Sequence, residues 1–227
     1  MVKTDVRRIG VNRFMPQPSR RLQLPPLYAI LDPEQTKGRA TETVLRELLE
    51  GEITLLQLRA KAMTAGDFLQ LARVTRRLTG SYGCRLIVND RIDVALACEA
   101  DGVHLGQEDL PLHAARKLMG DRIIGISTHS TEQAKEAEDG GTDYIGFGPM
   151  FGTTTKATGY DARGLEMLHQ VREAVRIPIV AIGGITEANI AEVWRAGADS
   201  AAIISDLVGA HDVADKVRRI LALRQAV

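Results

Sequence analysis

Eight short apolar runs, each followed by a helical pattern, leave this chain few ways to fold. From Leu27 onward they cover residues 27–31 (LYAIL), 53–58 (ITLLQL), 85–88 (RLIV), 102–105 (GVHL), 123–126 (IIGI), 144–147 (YIGF), 178–182 (PIVAI) and 201–204 (AAII). Between them, apolar positions recur every three or four residues. Phe68, Leu71, Thr75 and Leu78 do so in one segment, and Val213, Val217, Ile220 and Leu221 in another. Thr64 with Asp67 and Ser130 with Gln133 have the spacing of capping boxes, the first with Asp in place of Glu. Strand then helix, repeated, predicts a parallel sheet. Near-continuous apolar strands predict that both its faces are covered. Eight such units in about 200 residues is the lower size limit of a (β/α)8 TIM barrel. A doubly wound open sheet is the competing architecture. The expected organisation is one α/β barrel domain over residues 25–227, preceded by a flexible tail over residues 1–24.

Bulk composition narrows the partners. The 227 residues are 44% hydrophobic, enough to bury a sizeable core, and only 4% aromatic, which argues against a stacking platform for single-stranded nucleic acid. A formal net charge of +0 argues against nucleic acid or an anionic membrane as partner. No apolar run is long enough to cross a bilayer. The opening segment MVKTDVRRIGVNRFMPQPSRRLQLPP is basic and lacks the apolar stretch of a secretory signal, so a cytoplasmic location is expected. Met15 is an alternative start. Cys84 and Cys98 match no zinc or redox spacing and are expected to be reduced and buried.

The polar residues fall in one kind of place. In a barrel, chemistry sits where strands end and helices begin. After seven of the eight runs, unusual polar residues or glycines stand there: Gln57, Arg59 and Lys61; Asn89 and Asp90; Gln107 to Asp109; Ser127 and His129; the stretch GPMFGTTTK (148–156); Gly183 and Gly184; and Ser205. Barrel closure would bring them to one mouth. In QLRAK, the alternation of Gln57, Arg59 and Lys61 with Leu58 and Ala60 points three polar groups to one side. Two cations so placed want an anion; the plainer alternative is a solvated loop. Asp90 and Asp109 follow neighbouring strands and could share one Mg²⁺, which takes one or two carboxylates and completes its shell with water and phosphate. The plainer alternatives are a helix N-cap for Asp109, and a partner for Arg91 or a helix start for Asp90. Glu108 is a further candidate ligand, more in keeping with an outward position. Ser127 could donate a hydrogen bond into the mouth. His129 could act as acid or base, or simply be structural. No Ser–His–Asp order suggests a hydrolytic triad.

Glycines after strand seven and a serine after strand eight suit the recurrent phosphate site of such barrels. Gly184 and the Ile204–Ser205 backbone are its candidate donors. Thr153, Thr154, Thr155 and Lys156 lie between that site and the cationic region, so two anionic groups are expected, one bound through a metal.

The motifs QLRAK, VNDR, GVHLGQEDLP, GISTH, GPMFGTTTK, AIGGIT and IIS follow one another in an order that resembles the thiamine-phosphate synthases. The resemblance runs from about Leu27 to the C-terminus. It implies a barrel that joins hydroxymethylpyrimidine diphosphate to thiazole phosphate, with Mg²⁺, giving thiamine phosphate and pyrophosphate. It implies that Gln57, Leu58, Arg59, Ala60, Lys61, Asn89, Ser127 and Lys156 hold the pyrimidine diphosphate. Asp90 and Asp109 would bind the metal. Thr153 to Thr155, Gly184, Ile204 and Ser205 would hold the thiazole phosphate. Arg59, Lys61, Ser127 and Lys156 would carry the catalysis. The partners are then small molecules, with homo-oligomerisation left open. Three features depart from the family pattern: Gly152 where proline is frequent, Asp206 where a small apolar residue is usual, and the long N-terminal tail. A carboxylate at 206 would repel phosphate unless it faces away, so Asp206→Ala is expected to tighten thiazole phosphate. Two alternatives share the barrel: a thiazole tautomerase using His129, and a non-catalytic barrel that binds thiazole phosphate.

Overall fold

The computed structural model describes residues 22–152 and 161–224. Eight parallel strands close into a barrel in sequence order, β1 pairing with β8. They are β1 (Leu27–Leu31), β2 (Leu55–Leu58), β3 (Arg85–Asn89), β4 (Gly102–Leu105), β5 (Ile123–Thr128), β6 (Tyr144–Phe147), β7 (Ile179–Ile182) and β8 (Ser200–Ile203). The helices around it are α1 (Thr41–Glu50), α2 (Ala65–Ser81), α3 (Ile92–Ala97), α4 (Leu112–Met119), α5 (Thr131–Asp139), α6 (Gly164–Ala174), α7 (Ile190–Arg195), α8 (Ser205–Val208) and α9 (Val213–Arg224). The open sheet is thereby excluded. The expected run 53–58 starts as a strand only at Leu55, because the amides of Gly51, Glu52 and Ile53 still bond the last carbonyls of α1.

Strand periodicity sorts the core into two layers. Leu27, Ala29 and Leu31 of β1 join the layer between sheet and helices, whereas Tyr28 and Ile30 point into the barrel. Leu56 and Leu58 of β2 face the helices and Leu55 the interior. Leu22 and Leu24 pack against the interior layer. Phe68, Thr75, Val213, Val217 and Ile220 are buried, as their helical spacing predicts. Thr64 caps α2 by accepting the Asp67 amide hydrogen, and Ser130 caps α5 through Gln133. The Gln133 side chain reaches back to the His129 amide, one residue before the cap. Cys84 and Cys98 are free and buried. Among the described residues no helix is long and apolar enough to cross a membrane.

The interior layer is filled unevenly. Large polar rings take space that facing glycines leave open. A Cβ at Gly125 would collide with the Tyr144 ring, and one at Gly146 would come within 2.9 Å of His104 Cε1. These two positions admit the rings because they carry no side chain.

Candidate active site

The C-terminal ends of the strands enclose two joined compartments. One is lined by Gln57, Arg59, Lys61, Asn89, Asp90 and Asp109 among others; the second by Gly183, Gly184, Ile204, Ser205 and Asp206. Ser127, His129, Gly146, Ile182, Ala202 and Ile204 border both. With volumes of about 1630 and 760 Å³, open mouths included, each has room for a small-molecule ligand.

Gln57, Arg59 and Lys61 all line the first compartment, as the alternation predicts. Leu58 and Ala60 face the helix layer instead, leaving their backbone as the part nearest the cavity. The two cations differ in kind. Arg59 is ion-paired with Asp32 at the end of β1, and the Asp32 side chain is fully buried. Asp32 also accepts the Glu34 amide hydrogen at 3.0 Å. One guanidinium nitrogen is thus committed, and a planar fork with five N–H groups keeps donors for a ligand. Lys61 pairs with Asp90 at 3.1 Å, with its side chain 48% exposed. Breaking a buried pair costs about 3–5 kcal/mol, whereas an exposed pair contributes about 0–1 kcal/mol. Arg59 is therefore a rigid cation, and Lys61 is the one able to change partner.

Asp90 follows β3 with a left-handed backbone, φ 61°, and its amide bonds the His104 carbonyl at 2.8 Å. It is neither a helix cap nor a partner of Arg91, which pairs with Asp93. Asp109 accepts the Gly106 amide hydrogen at 2.6 Å and leaves the N-cap of α4 to Pro111. Burial and the neighbouring Asp90 carboxylate raise the Asp109 pKa, while the Gly106 amide and Lys61 oppose this. Two carboxylates close enough to perturb one another at a cavity wall fit a divalent cation. Among the described residues no group of three or more His, Cys, Asp or Glu side chains could hold a metal. Glu108 is exposed at the rim of the same compartment.

Behind the mouth runs a buried polar chain. Gln57 Nε2 donates to the Tyr28 hydroxyl at 3.1 Å, and the Tyr28 and Tyr144 hydroxyls lie 3.0 Å apart. Tyr144 meets His104 Nδ1 at 3.0 Å, and His104 Nε2 meets Ser127 Oγ at 2.9 Å. Burial raises the pKa of both phenols well above the usual tyrosine value, so each keeps its one hydrogen. Ser127 thus touches a histidine whose far nitrogen faces a phenol, not the carboxylate of a hydrolytic triad. His104, Tyr28, Tyr144 and Asp32 are site residues absent from the motif reading. Three of them are inward positions inside β1, β4 and β6, linked to Gln57 and Ser127 only by hydrogen bonds between strands.

The second compartment is shaped by backbone. Gly183 and Gly184 have φ of 100° and 66°. A Cβ on them would lie 2.7 Å from Pro149 Cα and 2.7 Å from the Gly152 carbonyl oxygen. The amides of Met150 and Phe151 bond the Ile182 and Gly183 carbonyls at 2.8 and 3.0 Å. These glycines thus let the loops after β6 and β7 dock on each other. Asp206, at the wall of this compartment, has its carboxylate engaged by the protein: it pairs with Lys216 on α9 at 2.8 Å and accepts the Glu187 amide hydrogen at 3.1 Å. His129 Nδ1 donates to the Gly148 carbonyl at 2.6 Å, tying β5 to the same loop. Thr153, Thr154, Thr155 and Lys156 lie outside the described residues.

With its polar residues gathered at the C-terminal mouth, the molecule falls in the class of (β/α)8-barrel enzymes acting on small molecules. Residues 27–207 match the family model described as thiamine monophosphate synthase. The chain belongs to that family. It is 45% identical over 197 residues to a thiamine-phosphate synthase of Chloroflexus aurantiacus, covering 87% of this chain and 91% of the relative. It is 47% identical over 195 residues to one of Moorella thermoacetica, covering 86% and 93%. Among solved structures it resembles a thiamine phosphate pyrophosphorylase from Pyrococcus furiosus, with TM-score 0.81, 37% identity, and coverage of 88% of this chain and 96% of that one.

Proposed function

We propose that this barrel joins hydroxymethylpyrimidine diphosphate to thiazole phosphate, giving thiamine phosphate and pyrophosphate. The observation that carries the reading is two joined compartments at one mouth: one lined by cations and a carboxylate pair, the other bordered by Gly184, Ile204 and Ser205. The C–O bond to the diphosphate breaks, and its electron pair leaves with pyrophosphate. The methylene carbon left on the pyrimidine is positive and is stabilised by the ring's amino group. The thiazole nitrogen gives its lone pair to that carbon, forming the C–N bond. No proton moves in this step, so the chain's tasks are charge stabilisation and alignment.

Each committed residue has a part. Arg59, held by Asp32, faces the leaving diphosphate as a pre-set cation. Lys61 exchanges its weak pair with Asp90 for the diphosphate, and Lys156 adds a third charge. Gln57, Asn89, Ser127 and the backbone of Leu58 and Ala60 hold the pyrimidine diphosphate. Thr153 to Thr155, Gly184, Ile204 and Ser205 hold the thiazole phosphate. Asp90 and Asp109 would hold Mg²⁺, which when bound neutralises charge on the diphosphate. The setting is the cytoplasm and the partners are small molecules, not nucleic acid or membrane. The barrel domain spans residues 25–227 in this reading, with Leu22 and Leu24 of the preceding segment packed against its interior layer.

Pyrophosphate release with both substrates, with each alone, and with or without Mg²⁺ tests this. Release is expected only with both substrates and the metal. Lys61→Ala and Asp109→Ala are each expected to lower kcat/KM roughly a hundredfold or more, the scale of losing one charge-stabilising group. Tautomer interconversion of thiazole phosphate without coupling would establish the isomerase instead. Binding without either reaction would establish the sensor.

A further inference from the structure

The buried chain from Gln57 to Ser127 has a direction. Tyr28 receives a hydrogen from Gln57 Nε2, so its own hydroxyl hydrogen goes to Tyr144. Tyr144 then has one acceptor left, His104 Nδ1, and donates to it. A neutral imidazole whose Nδ1 accepts carries its hydrogen on Nε2, which donates to Ser127 Oγ. The Ser127 hydrogen is thereby directed to a ligand at the seam of the two compartments, which Ser127 borders. At the other end, Gln57 spends an N–H on Tyr28 and keeps its carbonyl oxygen as an acceptor.

We infer that this relay makes the first compartment read polarity: it accepts a ligand that donates at Gln57 and accepts at Ser127. Resting on the function proposed above, the ring amino group of the pyrimidine is that donor, and an oxygen of its diphosphate is that acceptor. A ligand with a ring carbonyl in place of the amino group needs the Gln57 amide turned over. Tyr28 would then donate to Gln57, Tyr144 to Tyr28, His104 Nδ1 to Tyr144, and Ser127 to His104. Ser127 would have only lone pairs to offer an anion. One ring substituent is thus coupled to the diphosphate contact through three positioning residues, Tyr28, Tyr144 and His104. Gly125 and Gly146 leave the space that two of these rings occupy.

Nitrogen-15 NMR of histidine-labelled wild-type protein, with His104 assigned by its loss in His104→Gln, gives the first test. The expected free-protein state is Nε2–H with an unprotonated Nδ1; an Nδ1–H tautomer overturns the relay. Calorimetric titration with the amino and oxo pyrimidine diphosphates, each with Mg²⁺ and no thiazole phosphate, gives the second. Wild type is expected to prefer the amino ligand about tenfold to a hundredfold, the range for hydrogen bonds to charged groups. Tyr144→Phe cuts the chain, so that preference is expected to fall several-fold. Tyr28→Phe repeats the cut at a second point. An undiminished preference in a folded variant overturns the coupling. If neither diphosphate binds wild type, the proposed function fails, and the His104 tautomer still decides the relay by itself.

Discussion

Asp32 and Arg59 set the energy scale of the mouth. Asp32 is fully buried and the Arg59 side chain only 12% exposed, so Asp32→Ala leaves a largely desolvated cation without its partner. A loss of about 3–5 kcal/mol in urea unfolding is expected; a loss under about 1 kcal/mol would mean that Arg59 is solvated without its partner. Asp206 works in the opposite sense from what its charge suggests. Its two oxygens are occupied by Lys216 and the Glu187 amide, so it staples the loops after β7 and β8 to α9. Asp206→Ala is therefore expected to weaken thiazole phosphate binding several-fold by calorimetry, the scale of one lost hydrogen bond of about 1 kcal/mol. Tighter binding would restore the repulsion argued from sequence. That the charged residues gather at one compartment was legible because each follows a strand end. The partner of Arg59 was not, because Asp32 lies in another strand–helix unit and no local spacing links the two.

At the scale of elements, alternation along strands did most of the work. It placed Gln57, Arg59 and Lys61 on one side and Leu58 on the other, as the structure has them. Caps were equally local. Thr64 accepts the Asp67 amide hydrogen and also donates to its carboxylate, closing the first turn of α2. Thr64→Ala is expected to cost about 1 kcal/mol in thermal or urea unfolding, with coupling activity unchanged; no loss would mean that water replaces the cap. What alternation did not reveal was why glycines stand inside strands and loops. Gly125 and Gly146 accommodate rings from neighbouring strands, and Gly183 and Gly184 accommodate the loop after β6. Those contacts join elements far apart in sequence, so only the closed barrel displays them.

For the whole molecule, the decisive step was closure. Eight strand–helix units were countable in the sequence, and the barrel's rim then had to collect the polar strand ends. The two compartments at that rim lie where those residues cluster. The buried relay did not, because Tyr28, Tyr144 and His104 read singly as core residues. The central claim is that one mouth holds two anions side by side, one of them through a divalent metal. It is tested most directly by titrating thiazole phosphate into wild-type protein saturated with pyrophosphate and Mg²⁺, a pair of ligands that cannot react with each other. Thiazole phosphate is predicted to bind one to one with pyrophosphate still in place, and omitting Mg²⁺ is predicted to abolish pyrophosphate binding alone. Mutual exclusion of the two anions, or pyrophosphate binding indifferent to Mg²⁺, would contradict the account.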